Sequence, residues 1–175
     1  NPQRALERCG ELSFVAALAV AETLEGIVAD AQDVRCKWPN DVLARGKKIA
    51  GVLLESFSEK EGRSEYPWVA VGIGINVDNF PEHVLFPATC LRSEGVEIIS
   101  AKIVLSRLVH HFIARYDQWD NEGFAPILRA WEKRAYQINQ PVQVLVGDTR
   151  LEGKFLGIDA SGRLLINNTK KTAQV

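Results

Sequence analysis

The residues best suited to chemistry lie in two short stretches. The first is Lys37-Trp38-Pro39-Asn40-Asp41, followed by Arg45-Gly46-Lys47-Lys48-Ile49-Ala50-Gly51. Pro39 restricts Trp38 to extended backbone, and Asn40-Asp41 can bend the chain through their own side-chain hydrogen bonds. A bend and a charged, glycine-containing hairpin tip account for much of this segment. Lys48, however, opens the apolar run Ile49 to Leu54, which sets its stem at the edge of a core. Gly51 removes a side chain in mid-strand, which weakens a sheet unless something approaches the backbone closely. A cation beside such a glycine suits an anionic ligand with a flat apolar body.

The second stretch is Val69-Ala70-Val71-Gly72-Ile73-Gly74-Ile75-Asn76-Val77. It invites a dinucleotide fingerprint, but the third glycine is missing and Asp78-Asn79-Phe80-Pro81 follows in place of a helix. Two readings stand. Either small residues leave room on one face of a strand that ends in the Asn76 amide, or a buried strand uses glycines to ease its twist. His110 and His111 are neighbours on a helix and point about 100° apart, so they do not share a metal. His83 is alone, and no Ser/His/Asp set has a signature spacing. Cys9, Cys36 and Cys90 form no C-x-x-C pair, so neither zinc nor a disulfide framework is expected. Asp117, Asp120 and Glu122 read as the solvated end of a helix.

Positioning these residues requires strands. Helical spacing of Leu12, Val15, Ala16, Ala19 and Val20 predicts a helix over Glu11 to Leu24, with Gly26 as its stop. Val34 to Trp38 reads as a strand, and Val42 to Ala44 pairs through Arg45-Gly46 with Lys48 to Ser56 as a hairpin. Glu59 to Glu65 is a polar loop, and Trp68 to Val77 a further strand. Ser100 caps a long helix with Ile103, Val104, Leu108, Phe112, Ile113 and Tyr116 along one face. A second helix over about Ala125 to Ala135 buries Ile127, Leu128 and Trp131. Beyond Pro141 the chain alternates: Val142 to Val146, a turn at Gly147-Asp148, Leu151 to Ile158, a turn at Asp159 to Gly162, then Leu164 to Asn167. That tail reads as most of a small SH3-like β-barrel, too short to stand alone. Helices interrupt strands without a βαβ rhythm, so the class is α+β.

The 175 residues, 46% hydrophobic and 25% charged, suffice for one globular domain with a small appendage, divided here as 1–138 and 139–175. Twenty-one basic against 22 acidic residues leave a net charge of −1, no electrostatic footprint for nucleic acid or an acidic membrane. No apolar run reaches the roughly 18 residues that span a bilayer, and no signal peptide opens the chain. Cysteine usage fits a reducing, cytoplasmic setting. There is no Met, and the chain reads as a piece of something longer.

Taken in order, Lys37-Trp38-Pro39-Asn40-Asp41, Lys48-Ile49-Ala50-Gly51-Val52-Leu53 and Gly72-Ile73-Gly74-Ile75-Asn76-Val77 resemble the biotin–protein ligase family, whose pattern is K-W-P-N-D, K-[IL]-A-G-[IV]-L, G-x-G-[IL]-N. Ala88-Thr89-Cys90-Leu91 looks like the family's A-T-S-L with Cys90 at the serine. Trp131-Glu132-Lys133 and the tail look like its last helix and C-terminal barrel. The resemblance implies a mixed sheet with helices on one side, related to class II aminoacyl-tRNA synthetases, plus the SH3-like barrel. It implies adenylation of biotin by ATP with Mg²⁺, then transfer to a lysine of a biotin carboxyl carrier protein, and leaves a homodimer open. By position, Lys48 resembles the lysine that binds the biotin carboxylate and the adenylate phosphate. Gly51, Leu53, Gly72 and Ile73 resemble the wall around the biotin rings, and Asn40, Asp41 and Asn76 the nucleotide site. A lipoate ligase or acyltransferase of the same fold is the neighbouring reading, and a non-catalytic binding or dimerisation module the third. The family's Gly-Arg-Gly-Arg-x-Gly loop falls upstream of Glu11 and outside this sequence, so residues 1–175 alone are not expected to biotinylate a carrier.

Overall fold

Helix α2 (Glu11–Glu25) organises the core because it is apolar on every side. Leu12, Phe14 to Ala21 and Leu24 are all buried, so the helix fills the centre instead of laying one stripe on a sheet. Its two buried polar groups are both hydrogen-bonded. Thr23 Oγ1 donates to the Ala19 carbonyl at 2.7 Å, and Glu11 accepts from Trp119 Nε1 at 2.6 Å and Arg8 Nε at 3.0 Å. The computed structural model describes residues 2–57, 66–82, 84, 86–147, 149–168 and 171–174. The loop expected over Glu59 to Glu65, His83 and the Asp148 half of a turn lie outside the described residues.

A short helix α1 (Leu6–Cys9) precedes α2, and a four-stranded sheet follows it: β1 (Val34–Lys37), β2 (Asp41–Ala44), β3 (Lys47–Phe57) and β4 (Trp68–Ile75), in that spatial order. Every ladder is antiparallel. Arg45 and Gly46 link β2 to β3 with φ of 48° and 75°, the doubly left-handed turn that matches strand twist. Helices α3 (Ala101–Glu122) and α4 (Phe124–Glu132) complete the layer around α2. Ser100 caps α3 as expected, accepting from the Ile103 amide at 3.3 Å. The buried face of α3 is narrower than the spacing suggested, for Val104, Leu108 and Trp119 are buried while Ile103 is 50% and Ile113 54% exposed.

The tail forms a second antiparallel sheet, β5 (Pro141–Val146), β6 (Thr149–Ile158), β7 (Leu164–Asn168) and β8 (Lys171–Gln174), in sequential order. The fold is α+β with two antiparallel sheets. Parallel pairing among the described residues is limited to two isolated bridges, Cys36 with Ala135 and Lys48 with Ala88, so the mixed character expected for the sheet is confined to these contacts. One hydrogen bond joins the β6–β7 turn to the residue after β1, one ties β6 to α4, and one ties the segment after α4 to β1. Trp38 Nε1 donates to the Gly162 carbonyl at 3.0 Å, the Ile158 amide donates to Glu132 Oε1 at 3.2 Å, and Tyr136 N donates to Cys36 O at 2.8 Å.

Candidate functional site

The two faces of the first sheet differ. Cross-strand pairs Val52–Ile73 and Leu54–Val71 belong to one face, where Val69, Val71 and Ile73 confront Leu108 and Phe112 of α3. Pairs Gly51–Gly74 and Leu53–Gly72 belong to the other face, which no helix among the described residues covers. Chemistry gathers at the end of this second face.

Lys48 Nζ lies 2.5 Å from Asp41 Oδ1, with the lysine side chain 42% and the aspartate 17% exposed. Asp41 pairs with Gly51, and a register shift in the β2–β3 ladder brings Lys48 to the same place. A Cβ at Gly51 would stand 3.2 Å from Lys48 Cε and Nζ and 3.6 Å from Asp41 Oδ1. The glycine thus makes room first for the protein's own lysine. Gly74, across the ladder, has nothing within 4 Å of its Cβ position, so that space is open.

A cavity of about 440 Å³ opens here, lined among others by Asp41, Lys48, Gly51, Gly74, Asn76 and Phe86. Its far wall is stitched to the lysine's own backbone. Lys48 N donates to Pro87 O at 2.7 Å, and Thr89 N to Lys48 O at 2.9 Å. Asn76 Nδ2 donates to Thr89 O at 2.9 Å, fixing the same loop while lining the cavity. Cys90, where the family pattern has serine, sets its Sγ 3.3 Å from both Asp78 O and Ser93 Oγ.

Of the expected site residues, Asp41, Lys48, Gly51 and Asn76 converge. Asn40 lies at the edge, with its Nδ2 donating to Val52 O at 2.6 Å to hold β3. Leu53 and Gly72 share the open face farther along the strands, beyond the cavity lining, and Leu53 is 61% exposed. Ile73 points its side chain to the helix face, where it lines a separate gap. Sequence reasoning missed Gly74, Phe86 and Ala88. Only the register Gly51–Gly74 reveals the first, and the loop's return to Lys48 the others.

A second cavity, about 560 Å³, lies between the two sheets, lined in part by Lys37, Trp38, Phe86, Tyr136, Val144 and Phe155. Phe86 is common to both cavities. Lys37 Nζ sits 3.4 Å from the centroid of its ring. Burial lowers the Lys37 pKa from the ordinary lysine value; Asp41 opposes the shift and Lys48 adds to it.

The profile of the Biotin/lipoate A/B protein ligase family matches residues 1–133, and that of the Biotin protein ligase C terminal domain matches residues 138–171. The chain belongs to this family. It is 37% identical over 171 residues to the biotin–[acetyl-CoA-carboxylase] ligase of Paracoccus denitrificans, covering 95% of this chain and 70% of that one. It is 34% identical over 170 residues to a bifunctional ligase/repressor of Bacillus spizizenii, covering 95% of this chain but 51% of that protein. Among solved structures, the biotin protein ligase of Aquifex aeolicus in complex with biotin and ATP matches with TM-score 0.78 at 28% identity, over 98% of this chain and 69% of that one.

Proposed function

We propose that this chain carries most of the catalytic part of an ATP-dependent biotin–protein ligase, and that its reaction centre is the Lys48 cavity. The observation that supports this is the fixed Lys48–Asp41 pair facing the open Gly51–Gly74 surface. Biotin's carboxylate would attack the α-phosphate of ATP. The bond from that phosphorus to the bridging oxygen breaks, and pyrophosphate leaves with the electron pair. Two anions must meet for this, and a preset ammonium offsets their repulsion and stabilises charge that builds in the transition state. A lysine amine of a biotin carboxyl carrier protein then attacks the acyl carbon, AMP departs, and the amine loses a proton.

In this reading Lys48 contacts the carboxylate and phosphate, with Asp41 holding it in place. Gly51 and Gly72 leave flat backbone for the biotin rings, Leu53 borders them, and Ile73 contributes through its main chain alone. Asn76 shapes the nucleotide side, and Asn40 borders it from the β2 side of β3. Mg²⁺ would arrive with ATP and neutralise phosphate charge. Such an ion would be held mainly by phosphate oxygens and water. Residues 1–138 form the catalytic unit and 139–175 a small SH3-like barrel, of which the β5–β8 sheet is the described part. The unpaired cysteines Cys9, Cys36 and Cys90 support a reducing, cytoplasmic setting.

The test supplies the full-length protein with ATP and either biotin or lipoate and follows pyrophosphate. Release with biotin alone is expected. Release with lipoate but not biotin would transfer the protein to the lipoate branch, and release with neither would leave a binding module.

A further inference from the structure

Lys37 is a cation without a carboxylate of its own. Its backbone partner across the ladder is Asp41, so both side chains stand on one sheet face. Asp41 is already engaged, 2.5 Å from Lys48. Two ammonium groups thus flank one carboxylate, a local excess of one positive charge. Among the described residues no ion pair is formed by Lys37, and its ammonium rests on the Phe86 ring instead. A ring holds a cation without neutralising it, so an arriving anion can claim the same charge.

The position of that charge is informative. Phe86 separates the Lys48 cavity from the cleft between the sheets, and Lys37 lines the cleft side. We infer that Lys37, seated on Phe86, is a second phosphate-binding cation that holds the β- and γ-phosphates of the nucleotide and then the pyrophosphate they become. The inference rests on the ligase reading. Lys48 is committed to the carboxylate and α-phosphate, so the departing end of the nucleotide needs a partner farther out, and Lys37 stands in the adjoining cleft beyond Phe86. Burial disfavours the Lys37 charge, and a polyanion would restore it, so binding and charging reinforce each other.

The measurement is biotin-dependent exchange between ATP and pyrophosphate by the full-length protein. Lys37→Met should raise the KM for pyrophosphate about 10- to 100-fold, as expected for losing a charge-assisted contact, while the biotin Kd stays unchanged. Lys37→Arg should recover most of the loss. Phe86→Leu, which keeps the charge and removes its seat, should fall between. Lys47→Met, exposed beside the site, should behave as wild type. A wild-type pyrophosphate KM in Lys37→Met overturns the inference and leaves the ligase reading standing. If Lys37→Met does not fold, unchanged pyrophosphate KM in Phe86→Leu overturns it. Absence of any exchange by the wild-type protein removes the ligase reading and the inference together.

Discussion

Lys48 is the residue on which the account turns. Its ammonium is held by one carboxylate and remains accessible, so it can meet an incoming anion without first breaking a buried pair. Lys48→Ala should lower adenylation by about 10²–10³-fold, with little change in melting temperature because the pair is partly solvated. Single-turnover formation of acyl-adenylate together with a thermal melt checks both halves. The glycines divide the remaining work. Gly51→Val should drive the Lys48 side chain off Asp41 and cost both biotin affinity and rate. Gly74→Val has room for its side chain only in the cavity, so it should weaken biotin while the fold persists; calorimetry and circular dichroism would show this. Equal biotin affinity in Gly74→Val and wild type would mean the ligand lies elsewhere. The types of these residues were legible in the sequence, since a lysine opening an apolar strand and a glycine inside one both stand out. Their faces were not. Alternation along a strand is plain, but which of Gly72, Ile73 and Gly74 opposes Gly51 depends on a register that one strand does not contain. Gly51, read as space for a ligand, also has Lys48 as its nearest neighbour, 3.2 Å from the position a Cβ would take.

At the scale of elements, local signals served well where the physics is local. The Arg45-Gly46 turn, the Ser100 cap and the Gly26 stop all follow from backbone preferences of a few residues. Ser100→Ala should accordingly cost about 1 kcal/mol in urea unfolding, with helix content otherwise retained. Patterns that depend on distant packing were harder. The stripe predicted on α3 included Ile103 and Ile113, which the structure exposes, because nothing in the helix states how much of its circumference a neighbour covers. Strand β8 went unread, for Lys171 to Gln174 carries no alternation of its own and acquires strand form only by pairing with β7. Cys36 on β1 gives a further test. Burial, above all, raises its thiol from 9.0 to about 12, with Arg134 opposing and Glu25 and Glu22 assisting. The unfolded chain therefore loses this proton first as pH rises, and stability should fall by about 1.4 kcal/mol per pH unit from near 9 upward. Cys36→Ser unfolding curves across that window should lose this part of the slope, and native Cys36 should resist alkylation at pH 8.

On the scale of the whole molecule, the K-W-P-N-D segment is a joint as well as a site. Trp38, just after β1 and three residues before the Asp41 that holds Lys48, donates to the carbonyl of Gly162 in the turn between β6 and β7. Gly162 has φ of 83°, and a Cβ there would come within 3.0 Å of the Phe14 ring, so the turn fits against α2 only as glycine. Trp38→Phe keeps an aromatic side chain but is smaller and loses the hydrogen bond to Gly162, which should cost about 1 kcal/mol or more and loosen nucleotide binding more than biotin binding. The central claim, that acyl-adenylate forms in the Lys48 cavity, is tested most directly by a structure of the full-length protein with biotinyl-5′-AMP. The phosphate is expected beside Lys48 Nζ and the biotin rings over the open face of Gly51, Gly72 and Gly74. An adenylate whose phosphate lies away from Lys48, with its rings on the helix face near Ile73 or in the cleft between the sheets, would contradict it.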